Sequence, residues 1–431
     1  MTGKQTTRKR PIVVDLFAGA GGLSFGFEQA GFDVVAAVEV DPVHACVHKF
    51  NFPQCAVLPR SVFQLSGEDI RQAANLPAHI SVDVVAGGAP CQGFSAMGKR
   101  ALDDPRNGLV REFIRLVGEL QPSYFLFENV KGLTVGRHRP FLQVILNEMA
   151  LAGYNVVQPW QVLNAKDYGV PQRRERLFLL GARKDLPLPS YPEPLGHQVT
   201  CAEALDDLPD AEQSEQLLFC DEVPFSYLKP PTGYSALMRC SSLKSWRYGY
   251  QRRWNQNVLT SSRRTQHTKI SRARFAQTEP GKLEVISHFF RLPSEGVANT
   301  LRAGTDSARG AFTSPRPIHH RYARCITVRE MARLHGFPDW FRAHATKWHG
   351  ARQIGNAVPP PLAFALASEL RKCLPGKPTR PRKMLSLGDP ALLNFDMSAA
   401  SCYWGIPAPI KQRNQKSGRR KPKQKEIVAV T

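Results

Sequence analysis

Two reactive side chains follow apolar segments of the kind that form buried strands. Cys91 lies in the stretch GGAPCQGFS, residues 87–95, directly after the mostly apolar run 82–86. Glu128 begins the triplet Glu-Asn-Val, directly after Phe125-Leu126-Phe127. Loops at strand ends expose side chains on a rigid support, which suits a cysteine nucleophile and a partnering carboxyl group. A small apolar cysteine at a turn is the plainer interpretation of Cys91 alone; the second signal at Glu128 favours one shared pocket.

The segments that must position these residues alternate between strand and helix patterns. The first units are a strand over 11–17, a glycine turn over 18–22, a helix over 23–30 closed by Gly31, and a strand over 33–38 that ends in Glu39. The alternation continues as far as Ala182, which predicts an α/β fold with a parallel sheet.

The glycine turn indicates a nucleotide-like cofactor. Its stretch GAGGLS, residues 19–24, lacks the third glycine of the dinucleotide fingerprint, which disfavours a nicotinamide oxidoreductase. Glu39 lies eighteen residues after Gly21, at the end of the second predicted strand. A carboxylate at that place can accept hydrogen bonds from both hydroxyl groups of a ribose.

The composition restricts the class of protein and its partners. The chain of 431 residues is long enough for two domains or for one large domain with an insertion. Its 58 lysines and arginines against 36 acidic residues give a net charge of +22, which points to a polyanionic partner. No apolar run approaches the ~20 residues of a membrane helix, and no apolar signal core follows the start. Nine cysteines without a CxxC pair argue against zinc and disulfide frameworks and favour the reducing cytoplasm.

The pattern changes after Pro187. Up to about Cys325, prolines, polar turns and short strands replace the alternation. Residues 223–278 contain no Asp or Glu but eleven Lys or Arg, and aromatic residues are interleaved with arginines over 246–254. A solvated basic face is the plainer interpretation, whereas the length of this acid-free tract and its aromatics favour a nucleic-acid surface. A second basic run, 411–425, has eight Lys or Arg in fifteen residues and is expected to be disordered.

Several sequence blocks, taken together, resemble the DNA cytosine-5 methyltransferases. The blocks are FAGAGG at 17–22, PCQGFS at 90–95, ENV at 128–130, QRRER at 172–176, TVRE at 327–330 and QIGNAVP at 353–359. The resemblance covers 13–182 and 324–370, and it implies a Rossmann-like S-adenosylmethionine-dependent methyltransferase domain with an inserted, mostly β or irregular target-recognition lobe. The expected parts are a basic flexible leader (1–10), the catalytic and cofactor-binding domain (11–186), the recognition lobe (187–325), a return to the catalytic domain (326–374), and a proline-rich and basic flexible tail (375–431).

The resemblance also assigns roles to residues. Cys91 would attack carbon 6 of a cytosine, and Glu128 would hydrogen-bond ring nitrogen 3 and the exocyclic amine. Arg174 and Arg176 would orient Glu128 and contact the target nucleotide, since the guanidinium fork binds carboxylate and phosphate. Ser61 stands where the family usually has an Asp that accepts the adenine amino group. The implied cofactor is S-adenosylmethionine, and the residues expected to bind it are Phe17, Gly19, Gly21, Gly22, Glu39, Val40, Ser61, Pro90, Asn356 and Val358.

The implied substrate is a cytosine flipped out of duplex DNA. The residues expected to bind DNA are Gln92, Ser95, Lys99, Arg100, Gln172, Arg247, Arg252, Arg253, Arg263 and Arg264. Of these, Arg252 and Arg253 beside Trp254 are the expected base readers. The resemblance further implies a monomeric bacterial enzyme in the cytoplasm, with a cognate restriction endonuclease as a possible second partner. Two alternatives stay open: a related enzyme that acts on transfer RNA, and a DNA-binding protein that has lost catalysis.

Overall fold

A mixed sheet forms the centre of the molecule. The computed structural model describes residues 10–90, 108–136, 139–305 and 315–408, and within them an eight-stranded sheet has the order β3-β2-β1-β4-β5-β8-β6, with β7 also paired to β8. Its strands are β1 (Ile12–Leu16), β2 (Asp33–Val38), β3 (Ala56–Leu58), β4 (Val84–Gly87), β5 (Tyr124–Val130), β6 (Tyr154–Val156), β7 (Gln161–Asn164) and β8 (Glu175–Arg183).

The last three strands depart from the parallel sheet expected above. The pairs among β1 to β5 are parallel, whereas β8 is antiparallel to β5, β6 and β7. Only the short helical turn Ala165–Tyr168 lies between β7 and β8. The expectation of a wholly parallel sheet is therefore wrong at this edge, because parallel neighbours need a longer crossover connection.

Helices cover both faces of this sheet. The helices are α1 (Gly22–Gln29), α2 (Pro42–Asn51), α3 (Gly67–Ala73), α4 (Gly108–Leu120), α5 (Arg139–Leu151), α6 (Cys201–Leu205), α7 (Gly233–Met238), α8 (Lys269–Gln277), α9 (Val328–His335), α10 (Lys347–Asn356), α11 (Pro360–Lys372) and α12 (Met397–Trp404). Because strand side chains alternate between faces, Val13 packs with α1, α2 and α11, and Val14 packs with α3, α4 and α5. Among the described residues, none of these helices has both the length and the apolar character of a membrane span.

The late helices return to the beginning of the fold. The helix predicted over 327–335 is α9, with Thr327 and Glu330 as a reciprocal cap and Gly336 at its end with φ 85°. Further on, α11 packs against α1 so closely that a Cβ at Gly26 would collide with Ala363. The segment 187–325 is mostly irregular in its described part. It contains α6, α7 and α8 and the two-residue strands β9 (Val223–Pro224), β10 (Arg252–Arg253) and β11 (Val258–Leu259).

Two segments expected to be flexible are ordered instead. Arg10 is buried, and its guanidinium donates to Asp33 Oδ1 at 2.7 Å and to the carbonyl oxygens of Phe32 and Tyr248. From 375 to 408 the chain forms β12 (Leu385–Ser386), which pairs with β10, and α12, which packs on α2. The expectation of flexibility is wrong for Arg10, because these hydrogen bonds hold its side chain, and for 375–408, because apolar side chains of that segment join the main core. Residues 1–9 and 409–431, with the basic run, lie outside the described residues.

Candidate active site

A cavity of about 550 Å³ opens at the edge of the sheet where four parallel strands end. The strand register brings these ends together, because Leu16 pairs with Val38 and with Gly87, and Gly87 pairs with Phe127. Residues predicted from the sequence as catalytic or cofactor-binding form much of its wall: Phe17, Gly19, Gly22, Glu39, Val40, Pro90, Glu128, Arg174, Arg176, Asn356 and Val358. The cavity wall therefore combines the two kinds of predicted residue.

The turn after β1 has a backbone that places its amides at the cavity. Phe17 has φ 60° and Gly19 has φ 54°, both left-handed, and Gly21 has φ 103°. The Gly19 N–H donates to Glu39 Oε2 at 2.8 Å. At Gly21 a Cβ would collide with Phe52, which directly follows α2, so this glycine serves packing against that helix end and is not among the residues that line the cavity. Gly22 does line it, and a Cβ there would collide with the carbonyl oxygen of Val358.

Glu39 is held by backbone amides from two directions. Its Oε2 accepts from Gly19 and its Oε1 accepts from the Asp41 N–H at 2.9 Å. Burial raises the pKa of Glu39, against the lowering effect of nearby His44 and of the two amides. The carboxylate oxygens keep further lone pairs for hydroxyl donors, which suits a ribose at this end of the cavity.

Asp15 is a cavity residue that the sequence analysis did not single out. Its Oδ2 accepts from the Ser24 hydroxyl at 2.5 Å, and His48 Nε2 lies 3.1 Å from that hydroxyl oxygen. The Asp15 side chain is buried, and its Oδ1 has no hydrogen-bond partner among the described residues. Burial raises the pKa of Asp15 to about 7. A buried carboxylate oxygen at the cavity wall fits a cationic ligand group such as an α-ammonium.

Glu128 and Arg176 form an ion pair in the wall of the cavity. Arg176 Nε lies 3.1 Å from Glu128 Oε1. The contact follows from the register, since Val130 pairs with Arg176 and Glu128 pairs with Phe178, which puts both charged side chains on one face. Burial raises the pKa of Glu128, while Arg176 and Arg174 act to lower it. A Cβ at Gly88 would come within 2.8 Å of Glu128 Oε2, so glycine gives this carboxyl group its space.

Arg174 makes backbone contacts that the sequence analysis did not anticipate. Its guanidinium is buried and donates to the carbonyl oxygens of Leu301 at 3.3 Å and Ala357 at 3.1 Å. Burial and the neighbouring Arg176 hold the pKa of Arg174 well below its usual range. Arg174 therefore ties the start of β8 to the two segments that close the cavity, whereas Arg176 orients Glu128.

The segment that follows Pro90 contains the expected nucleophile and part of the expected DNA surface. Cys91, Gln92, Ser95, Lys99 and Arg100 lie outside the described residues. The chain leading to Cys91 is anchored, because the buried Asn129 side chain donates to the carbonyl oxygen of Ala89 at 3.1 Å and accepts from the Val130 N–H at 2.8 Å. Asn129 is the middle residue of the Glu-Asn-Val block, and its anchoring contact was not anticipated.

Two further predicted residues make contacts within the protein. Ser61 caps a short helical turn, where its hydroxyl oxygen accepts from the Phe63 N–H at 3.4 Å, and it is not among the residues that line the cavity, so its adenine contact stays a prediction. Gln172 is buried, where its amide donates to Leu334 O at 3.3 Å and accepts from Leu301 N–H at 3.0 Å. It is therefore unavailable to DNA. The sequence of the QRRER block does not show whether a polar side chain is buried between two segments or exposed at the surface.

Comparisons with known proteins agree with this geometry. The family model described as C-5 cytosine-specific DNA methylase matches residues 12–372. The Type II methyltransferase M.XorII of Xanthomonas oryzae pv. oryzae is 54% identical over 407 residues, which cover 94% of this chain and 95% of that protein. The Type II methyltransferase M1.HphI of Haemophilus parahaemolyticus is 33% identical over 363 residues, covering 83% and 86% of the two chains.

The chain belongs to the C-5 cytosine-specific DNA methylase family. A crystal structure described as a prophage-encoded DNA modification methyltransferase (E. coli) matches with a TM-score of 0.70 and 33% identity, over 84% of this chain and 99% of that one. The protein is thus a Rossmann-like methyltransferase that transfers a methyl group from S-adenosylmethionine to carbon 5 of cytosine in DNA, as the sequence blocks predicted.

Two of the arginines expected to bind DNA in this methylase, Arg247 and Arg252, make contacts within the protein instead. Arg252 is buried and pairs with Glu28 of α1 at 2.8 Å. Arg247 lies with its guanidinium carbon 3.5 Å from the centre of the Phe364 ring in α11, and burial lowers the pKa of Arg247 to about 10. Both are therefore corrected from DNA contacts to structural residues. Of the others, Arg253 is exposed, while Arg263 and Arg264 are half-buried and donate to the carbonyl oxygens of Leu218 and Ser214.

Proposed function

We propose that this methylase acts on one cytosine within a specific duplex DNA sequence and forms a covalent adduct through Cys91. The observation that carries the proposal is the Glu128–Arg176 pair beside Gly88, in a cavity that also holds Glu39 and the glycine turn. Cys91 follows the cavity residue Pro90 directly in the chain. A nucleophile, a carboxyl group with a raised pKa and a cofactor site would then share one space.

The bond changes at the base follow from these groups. The Cys91 thiolate adds to carbon 6 of the flipped cytosine, and the electrons of the 5,6 double bond become available at carbon 5. Glu128 donates a hydrogen bond to ring nitrogen 3, which favours this addition because the raised pKa keeps a proton on the carboxyl group for a larger share of the time. After carbon 5 has gained the methyl group, loss of its proton and of the Cys91 thiolate restores the double bond.

The cavity residues fit S-adenosylmethionine, which supplies an electrophilic methyl group when bound. Glu39 would accept the ribose hydroxyls, and Val40, which is exposed at the cavity, would lie against the adenine. Asp15 Oδ1 would accept the α-ammonium group of the methionine part, which gives this buried oxygen its partner. Asn356, the last residue of α10, and Val358, in the linker between α10 and α11, close the cavity.

The biological setting is the second part of the proposal. Two of the relatives above are named as Type II methyltransferases, which supports a restriction–modification role and a cognate endonuclease that recognises the same sequence. We propose a monomeric enzyme of the bacterial cytoplasm, with residues 187–325 as the target-recognition lobe. Flipping the cytosine out of the duplex is required, since a paired and stacked base presents neither ring face to Cys91 or Glu128.

The decisive experiment traps the adduct. Wild-type protein incubated with S-adenosylmethionine and duplex DNA carrying 5-fluorocytosine should form a complex that survives denaturing electrophoresis, because fluorine at carbon 5 cannot leave as a proton. Cys91→Ala should form no such complex and should not methylate, yet should bind S-adenosylmethionine like the wild type. Methylation by Cys91→Ala would refute the nucleophile assignment. Bisulfite sequencing of plasmid from an expressing host gives the methylated sequence, and a parallel assay on transfer RNA should be negative.

A further inference from the structure

A hairpin in the inserted segment exposes large apolar side chains to solvent. Residues 281–291 fold back on themselves, with Gly281 N–H bonded to Arg291 O, Arg291 N–H bonded to Lys282 O, and Leu283 paired with Phe290. At its tip Val285 is 81% exposed and Ile286 is 64% exposed, and Leu283 before them is 57% exposed. Single exposed apolar residues are ordinary, but two adjacent exposed β-branched residues at the turn of a hairpin indicate an interaction site.

A buried carboxylate makes the tip rigid. Glu284 Oε2 accepts from the Ser287 N–H at 2.6 Å and from the Ser287 hydroxyl at 2.5 Å, and its Oε1 accepts from the Ile286 N–H at 3.2 Å. Arg274 of α8 adds a cation, with its Nε 3.5 Å from Glu284 Oε1. These contacts hold Glu284 inward while Val285 and Ile286 point outward. The tip is therefore ordered before any partner arrives, which lowers the entropic cost of binding.

The base of the hairpin is attached firmly to α8. Arg291 donates to the carbonyl oxygens of Phe275, Ala276 and Thr278, which satisfies the end of that helix. Phe275 also packs with Ile318 and Cys325 in a small core separate from the two main ones. The hairpin and α8 thus form one small unit, whose stability does not depend on the exposed tip.

The charge around the tip matches a polyanion. Lys282 is exposed beside Leu283, and Lys269 is exposed on α8. Arg272 of α8 is also exposed, but it pairs with Glu212 at 2.7 Å. On the acidic side, Glu284 is buried and paired, and Glu279 is exposed at the end of the same unit. An apolar tip on a unit that also exposes Lys282 and Lys269 suits a nucleic-acid groove, where cations approach phosphates and apolar side chains meet base edges and thymine methyl groups.

We infer that this tip enters a groove of the target duplex and that Val285 and Ile286 contact base edges that help to define the methylated sequence. The inference rests on the proposed function, because it assigns part of sequence reading to a particular place in the proposed recognition lobe. It also moves the reading site away from Arg252, which the structure buries.

The test compares Val285→Ser/Ile286→Ser with Leu151→Ser, a matched control at the end of α5 whose side chain is 87% exposed. Binding to a duplex with the methylated sequence and to an unrelated duplex of equal length is measured at several salt concentrations. The ratio of the two affinities should fall by about tenfold or more in the hairpin variant, the scale of lost base contacts. The salt dependence should stay as in the wild type, since no cation is removed. The control should leave the ratio unchanged.

The outcomes separate this inference from the proposed mechanism. Thermal unfolding and S-adenosylmethionine binding should be unchanged in both variants, because the substituted residues are exposed. An unchanged affinity ratio together with an unchanged methylated sequence would overturn the inference. If the hairpin variant instead lost only concentration-dependent self-association, the tip would be a protein contact and the inference would be wrong. Noncovalent binding does not depend on Cys91, so failure of the 5-fluorocytosine trap with a lowered ratio would refute the covalent mechanism alone.

Discussion

The first β–α unit contains two buried carboxyl groups that differ in their hydrogen-bond partners, Glu28 in α1 and Asp15 in β1. On the side of α1 away from the cavity, Glu28 accepts from Arg252 at 3.0 and 2.8 Å, from Gln54 at 3.2 Å and from the Tyr250 N–H at 3.2 Å. On the cavity side, Asp15 Oδ1 has no partner among the described residues, and burial raises the pKa of Asp15 to about 7.

This difference indicates which buried charges stabilise the fold and which are available to a ligand. A buried ion pair whose hydrogen bonds are complete holds two elements together, here α1 and the inserted segment that carries Arg252. Buried carboxyl groups with raised pKa values and free lone pairs, such as Glu39 and Glu128, are instead available to a ligand. The comparison predicts that substitutions on the first side change stability, whereas those on the second change binding and rate.

The largest effect is expected for Arg252→Ala. The substitution leaves the buried Glu28 carboxylate without its cation, which should lower the free energy of unfolding by about 3–5 kcal/mol. Urea denaturation measures the loss. Glu28→Gln/Arg252→Gln should be less destabilised than Arg252→Ala alone, since no unpaired charge remains. The methylated sequence should be unchanged in both, and a changed sequence with unchanged stability would reverse our assignment of Arg252.

In contrast to Arg252→Ala, Glu128→Gln should lower the rate of methyl transfer and leave stability nearly unchanged. Stability and DNA binding should stay close to those of the wild type, because glutamine keeps the shape of the side chain and can still accept from Arg176. Single-turnover methyl transfer should slow by about a hundredfold or more, the scale of a lost general acid. A near-normal rate would show that Glu128 does not polarise the cytosine ring.

The binding of S-adenosylmethionine should depend on pH through Asp15. Its pKa is raised to about 7 by burial, so the carboxyl group becomes neutral as the pH falls below that value. An ammonium group binds the charged form, and calorimetry should therefore show the affinity decreasing by up to about tenfold per pH unit below pH 7. Asp15→Asn should bind weakly with no such dependence. Ser24→Ala removes a hydrogen bond that lowers this pKa and should shift the dependence to higher pH.

The smallest effect on stability is expected for Arg253, the neighbour in sequence of Arg252. Arg253 is exposed, whereas Arg252 before it is buried. Arg253→Ala should change the free energy of unfolding by less than about 0.5 kcal/mol. Its effect on DNA affinity should appear in the salt dependence of binding, by about one unit of slope if a phosphate contact is lost. A loss of stability equal to that of Arg252→Ala would mean that burial does not explain the difference between the two.

The early part of the chain could be interpreted from local signals. The strands predicted over 11–17 and 33–38 correspond to β1 and β2, and the glycine turn lies between β1 and α1. Alternation, glycine placement and caps depend on neighbours within a few residues, so periodicity is informative there. The same holds for α9, whose cap and terminal glycine are explicit in the sequence.

The inserted segment could not be interpreted in this way. The arginines over 246–254 suggested a DNA surface because no acidic residue is near them in sequence, yet the acid that pairs with Arg252 is Glu28, more than 200 positions earlier. The ordered segment 375–408 was mistaken for a tail for a similar reason. Its prolines and polar residues hide the apolar side chains that pack on α2, including Leu392 and Leu393.

The sequence by itself determined the family, the α/β class and the cofactor, and it supplied the proposed catalytic pair Cys91 and Glu128, because these depend on residue types in short ordered blocks. Only the tertiary structure decided which charged residues face the cavity, which are buried and connect distant segments, and which surface is left for DNA. Arg176 and Arg174 lie two positions apart, yet one contacts Glu128 and the other binds backbone carbonyl groups of two distant segments. The physical reason is that the cost of burying a charge is set by its partners in space, and these are fixed only when remote segments pack together.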